Sequence, residues 1–231
     1  MKRIRIVGLA LVAVLAMTAI ASASASAAGP IWKVEGKALS GSKTIKSKST
    51  GNFVMKGKAF GFVNITITCT KESDTGTIVG GEPGTDTAII EYTGCSAGGL
   101  CTVSEPIKTE ANTTLVYLLS GGKKYLADLF APKTGTVFVS IKCGSITAEV
   151  TGNIVGELLN SSKSKIEKGN KTEETEAAKG FVNFAGASTE SYENSAGETK
   201  TAELKLEGNS ATLEGQDEVV LTTGEFYGAF E

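Results

Sequence analysis

Apolar residues recur at alternate positions along much of this chain. In the run from Phe62 to Cys69, Val63, Ile65, Ile67 and Cys69 fall on one side, with Asn64, Thr66 and Thr68 on the other. Val137, Val139, Ile141 and Cys143 repeat the pattern, as do Leu204 with Leu206 and Val219 with Leu221. A period of two describes a strand with one face on a core and the other in water. Turn signals punctuate the runs at Gly80–Gly81, Gly98–Gly99, Gly121–Gly122 and Gly208–Asn209. The last lies between 204–207 and 210–213 and predicts a hairpin. Many short strands at this spacing predict an all-β fold, an antiparallel sandwich or barrel. Phe226, Tyr227 and Phe230 predict a final strand that closes the core, with a binding patch as the alternative.

Residues 160–179 break the alternation, being dense in Ser, Lys and Glu with almost no apolar side chains. Asn170-Lys171-Thr172-Glu173 resembles a capping box, and Gly180 stands where a helix stop belongs, so a short solvated helix or a mobile loop is expected here. The tail beyond Gly180 has few large apolar residues, too few for a core of its own, which favours one domain over residues 28–231. A weak internal echo aligns Gly61–Cys69 with Gly135–Cys143 and Thr75–Gly80 with Thr151–Gly156. It reads either as shared strand composition or as two related hairpins packed face to face.

The N-terminus has a different pattern. Lys2, Arg3 and Arg5 precede a predominantly apolar run of 16 residues, 6–21, followed by the small residues 22–28. A basic region, an apolar region and an Ala-x-Ala site are the parts of a secretory signal peptide. Cleavage is expected between Ala27 and Ala28, with the earlier Ala23-Ser24-Ala25 site as alternative. The apolar run is shorter than the roughly 20 residues a spanning helix needs. No second run of spanning length follows, so no transmembrane segment is expected after signal removal.

Export changes the charge. Three of the 23 basic groups lie in the signal, leaving 20 against 25 acidic ones, a net of −5. That balance disfavours nucleic acid and anionic lipid. Arg3 and Arg5 are the only arginines and His is absent, so the mature chain has neither guanidinium nor imidazole. This removes Ser-His and Cys-His nucleophile pairs, His-ligated metals and bidentate anion clamps. No catalytic residue, metal site or cofactor is expected.

The cysteines are Cys69, Cys95, Cys101 and Cys143, an even count that implies disulfides in an exported chain. Cys95 and Cys101 bound a tight Gly-containing loop and predict a local surface clip. Cys69 and Cys143 each end an inward-facing run and predict a buried link between strands. In the chain-entropy model the long link stabilises by roughly 4–5 kcal/mol and the short one by about 2 kcal/mol.

Other motifs dissolve on inspection. Ser120-x-x-Lys123, Lys133-Thr134-Gly135 and Tyr192-x-Asn194 imitate penicillin-binding enzymes, yet Ser120 opens a Gly-Gly turn instead of a helix and the order is wrong. The Gly-rich stretch 76–84 lacks the Gly-Lys-Ser/Thr ending of a phosphate loop. Asn64, Asn112, Asn160 and Asn170 fit the glycosylation pattern, as a Thr-rich chain does by chance. A glycosidase needs only two carboxylates, with Glu149, Glu157, Glu203 and Glu207 as strand candidates, but Trp32 is the only tryptophan to offer a sugar platform.

From Cys69 to about Leu159 the order of features is suggestive. A strand ends in Cys69, and Thr93-Gly94-Cys95 and Cys101 follow. Next come Ile107-x-Thr109, a Leu/Tyr-rich strand to Leu119, Pro132 with Gly135-Thr136, Cys143-Gly144 and Val150-x-Gly152-x-Ile154-Val155-Gly156. This series resembles a group of uncharacterised secreted β-rich proteins of soil actinobacteria, over somewhat under half of the mature chain. The resemblance implies an exported bacterial β-protein and attaches no activity to it. The expectation is a non-catalytic β-domain, secreted or at the cell envelope, that binds an envelope or extracellular partner or plays a structural part. A small-ligand carrier of barrel type is the alternative, and a glycosidase-like hydrolase the remoter one.

Overall fold

The computed structural model describes residues 29–59, 63–98, 102–169 and 176–231. The expected signal peptide, the Ala27–Ala28 cleavage site, Cys101 and the capping-box-like segment within 170–175 lie outside the described residues. All regular structure described is strand: β1 (Ile31–Val34), β2 (Lys37–Ala38), β3 (Ser42–Ser49), β4 (Phe53–Ala59), β5 (Val63–Val79), β6 (Thr85–Ser96), β7 (Ile107–Ser120), β8 (Lys123–Pro132), β9 (Val137–Cys143), β10 (Ile146–Gly152), β11 (Ile154–Ser161), β12 (Ser164–Lys165), β13 (Gly180–Ala185), β14 (Thr189–Glu193), β15 (Thr199–Leu206), β16 (Asn209–Leu221) and β17 (Tyr227–Phe230). The all-β expectation holds. Among the described residues no helix is long and apolar enough to cross a membrane.

Eight strands close into a ring of antiparallel pairs. The order is β8–β11–β13–β16–β3–β5–β6–β7 and back to β8. A ring of eight leaves an interior just wide enough for side chains to fill. The ring is not free-standing, because β5, β7 and β16 are long. Where β3 ends, β4 takes its place between β5 and β16. Beyond it β15, β10 and β9 extend the sheet. This extension curls back to β7, where the Thr109 hydroxyl donates to the Phe138 carbonyl.

Alternation explains most of it. In β7, Ile107, Thr109, Ala111, Thr113 and Leu115 are buried while Lys108, Glu110 and Asn112 are exposed. From Leu115 to Leu118 every residue is buried, because β14 and β15 cover the outer face there. Val116 and Leu118 pack with Ala127, Val155, Tyr192 and Ala202 in a small second core outside the ring. The main core is continuous, running from Trp32 and Tyr227 through Phe53 and Phe184 to Phe138, Val150 and Leu206.

The predicted hairpin forms one residue early. Leu206 faces Asn209, and the turn is Glu207-Gly208, both with positive φ (50° and 76°). Two left-handed residues make the turn whose twist suits a two-residue hairpin. Ile67, Cys69, Leu204, Leu206, Val219 and Leu221 are buried as their parity predicts. In β9 the parity slips. The register shifts opposite Val150–Thr151, and Phe138 is buried in place of Val137 and Val139. Tyr227 joins the core as expected, whereas Phe230 is buried on the opposite face of its sheet under Lys33, and Phe226 is turned outward.

Three expectations are corrected. No helix or free loop occupies 160–169. β11 runs on to Ser161, turns and pairs with β12, and Glu167 bridges Tyr125. Of the two readings of the internal echo the structure follows the compositional one, since 63–69 and 75–79 of its first copy lie within the single strand β5 while its second spreads over β9, β10 and β11. The disulfide joins Cys69 to Cys95, so neither the Cys69–Cys143 link nor the Cys95–Cys101 clip exists. The reason is register. β5 and β6 form one hairpin in which these two residues stand directly opposite. Cys143 is disulfide-bonded as well.

Candidate functional site

The three-stranded sheet β17–β1–β2 lies across one mouth of the ring as a cap. Trp32, Val34, Tyr227 and Ala229 share the face turned to the interior, and the Tyr227 hydroxyl donates to the Val219 carbonyl at 3.0 Å. The cap is tied down at its rim. The Phe226 N–H donates to Glu35 Oε1 at 2.8 Å, the Gly36 N–H to the Glu176 carboxylate at 2.9 Å, and Lys43 pairs with Glu225 at 2.7 Å.

Beneath the cap the ring interior carries five carboxyls: Glu72 and Asp74 from β5, Asp86 from β6, Asp128 from β8 and Asp217 from β16. Glu72, Asp86, Asp128 and Asp217 are buried to between 3 and 7 % exposure. Their strands place them there. Each shares inward parity with core residues, Asp86 with Ala88 and Ile90, Asp128 with Leu126 and Phe130, Asp217 with Val219 and Leu221. Sequence reading passed over all five, although a carboxylate at the inward position of an alternating strand is the signal that finds them.

They form two contacts. Glu72 hydrogen-bonds Asp217, with the Ser47 hydroxyl donating to Glu72 Oε1 at 3.4 Å and the Glu72 N–H donating to Ser49 Oγ at 3.0 Å. Thr113 Oγ1 stands between Asp86 and Asp128, bonded to the first and 3.5 Å from Oδ1 of the second. Burial raises the affinity of every one of these carboxyls for its proton. It pushes Asp74 up to about 6. Glu72 is raised as well, first through burial and then through its hydrogen bond to Asp217. Asp86, Asp128 and Asp217 are raised first by burial, with nearby carboxylates adding to it. Oε2 of Glu72, Oδ1 of Asp74 and Oδ1 of Asp217 have no hydrogen-bond partner.

Little space remains in the interior among the described residues. A cavity of about 50 Å³ lies under the cap among Trp32, Asp74, Asp86, Asp128, Phe130 and Tyr227. Another of about 50 Å³ lies in the extension among Phe53, Met55, Ile67, Phe138 and Val150, and is wholly apolar. Each accommodates a few waters at most, against the several hundred Å³ of an ordinary ligand pocket. Among the described residues, no group of three or more Cys, Asp or Glu is placed to hold a metal ion.

The carboxylates singled out from the sequence lie elsewhere. Glu157 is buried and pairs with Lys165 at 2.9 Å, and Glu203 pairs with Lys205 at 3.2 Å. Glu207 Oε1 accepts the Glu149 N–H at 2.6 Å, joining the turn to β10. Ser120 and Lys123 face each other across the β7–β8 turn, and Lys133 pairs with Glu110 at 2.6 Å. The chain matches no family model, no curated protein and no solved structure.

Proposed function

We propose that this chain is an exported, non-catalytic β-domain that acts through its outer surface, by binding or as structure, at the cell envelope or outside the cell. The observation that carries this reading is the filled interior. With two interior spaces of about 50 Å³ among the described residues and a cap tied over one mouth, the surface left to meet a partner is the exterior of the barrel. The interior carboxyls support it too. Glu72 and Asp217 touch, whereas the carboxyls of a glycosidase stand about 5–9.5 Å apart across the sugar. The basic, apolar and small-residue regions of 1–28 support export, as does the cross-strand disulfide, since such bonds persist in oxidising compartments.

The test is expression from Met1 in an exporting bacterium, followed by intact-mass and native-mass analysis of the protein outside the cytoplasm. The expected product begins at Ala28, has no free thiol and carries no bound small molecule. It sediments with purified envelopes or remains in the medium as a folded chain. An intact Met1 form confined to the cytoplasm would overturn export. A stoichiometric small molecule retained in native spectra would replace this reading with that of a carrier.

A further inference from the structure

The interior carboxyls have no cation to meet. Residues 29–231 contain no Arg or His, and among the described residues no lysine is buried. Every element packed against the interior can be checked. β3 offers Ser47, β5 Glu72 and Asp74, β6 Asp86 and Tyr92, β7 Thr113, β8 Asp128, β16 Asp217 and β17 Tyr227. β1 adds Trp32, while β11 and β13 add the apolar Ile154, Leu158, Val182 and Phe184. A buried carboxylate without a positive partner is far more costly than a neutral carboxylic acid, which also gains a proton to donate.

The contacts themselves require protons. Two carboxyls cannot hydrogen-bond unless one is protonated, which applies to Glu72 and Asp217. The Thr113 hydroxyl has one proton and two carboxyl neighbours, Asp86 and Asp128. It satisfies both by donating to Asp86 and accepting from a protonated Asp128.

We propose that these five carboxyls make the ring an acid-tightened fold, whose interior is held protonated in acidic surroundings and loosens as they turn alkaline. The direction follows from linkage. All five bind protons more tightly folded than unfolded, so their contribution is fully present below the ordinary Asp and Glu values of 3.8 and 4.5. It is lost as pH rises through the folded values, with Asp74 releasing its proton first at about 6. Exposed ion pairs act oppositely at the acid end. Glu110, Glu198 and Glu225 are held below the usual range by Lys133, Lys200 and Lys43, and weaken once protonated. Lying at the surface, these pairs are screened by solvent.

The experiment is thermal unfolding of the purified chain from pH 4 to pH 9, read with the infrared carboxylic-acid C=O stretch at pH 6. The midpoint is expected to fall by roughly 5 °C or more between pH 5 and pH 8. A carboxylic-acid band should persist at pH 6 in the folded protein and vanish on unfolding. Glu72→Gln and Asp86→Asn, each supplying a neutral donor of the same shape, should flatten the decline. A midpoint that is level or rises from pH 5 to pH 8 would overturn the proposal. So would a folded protein at pH 6 without the band, a reading that needs no variant to fold.

Discussion

Phe53 shows how tightly the core is specified at single residues. Its ring meets Tyr92 edge-on at 5.4 Å and Phe184 at 6.0 Å, and Phe184 meets Phe130 at 5.3 Å, so four aromatics link the two ends of the core. The ring lies on Gly215 of β16, where an added Cβ would stand 2.5–2.7 Å from three of its carbons. Gly215→Ala has two opposed effects. Removing a glycine from the unfolded chain stabilises by about 0.4–1 kcal/mol, while overpacking a filled core costs about 1–3 kcal/mol. The second is larger, because the obstructing atoms belong to a ring wedged between two others. Calorimetry of Gly215→Ala should show a loss of stability of about 1–2 kcal/mol, and a gain would mean that the Phe53 ring has room to move. Such contacts join residues far apart in the chain, so no local pattern announces them. The five interior carboxyls differ in this respect, since Asp86, Asp128 and Asp217 lie at inward positions that simple alternation marks.

Strands were legible where one face is wet and the other dry, as in β5, β15 and the C-terminal half of β16. The period fails where β14 and β15 cover the ring's outer face and β7 becomes apolar throughout. It also fails where registers slip. β5 changes its inward set from Ile67 and Cys69 to Glu72 and Ile78. The change occurs opposite Gly94, whose φ of 64° and bare Cα make room for the Thr70 hydroxyl. Disulfide pairing was read from whether each cysteine faced in or out, whereas neighbouring strands decide it. Because β5 and β6 are consecutive and antiparallel, Cys69 and Cys95 meet across a separation of 26 residues. A loop of that size stabilises by about 3–4 kcal/mol in the chain-entropy model. Peptide mapping without reduction should recover the Cys69 and Cys95 peptides linked, and a Cys69–Cys143 peptide would contradict the β5–β6 register. The double variant Cys69→Ala/Cys95→Ala should unfold about 6–12 °C lower.

At the scale of the molecule, the ring and its curled extension are not separable bodies. β5 pairs with β4 through 63–69 and with β3 through 73–79, and β16 passes in the same way from β15 and β4 to β13 and β3. Unfolding the extension therefore strips partners from strands that the ring needs, and one core runs through both. The cap is the element with most freedom to part company, since β1, β2 and β17 form their own sheet. Against that stand its burial and its anchors. Trp32 and Tyr227 are 4 % and 5 % exposed, and the Tyr227 hydroxyl is bonded to the β16 backbone. Fully burying a large apolar side chain stabilises by about 1.5–3 kcal/mol, so undocking the cap would forfeit several such contributions together. Cap and barrel are accordingly expected to melt in one transition. Trp32 is the only tryptophan, so its emission reports the cap alone while far-UV circular dichroism reports the strands. The two melting curves should superimpose at pH 5. An emission midpoint several degrees below the dichroism midpoint would show a cap that opens before the barrel yields, exposing Asp74, Asp86 and Asp128 to solvent while the ring still stands.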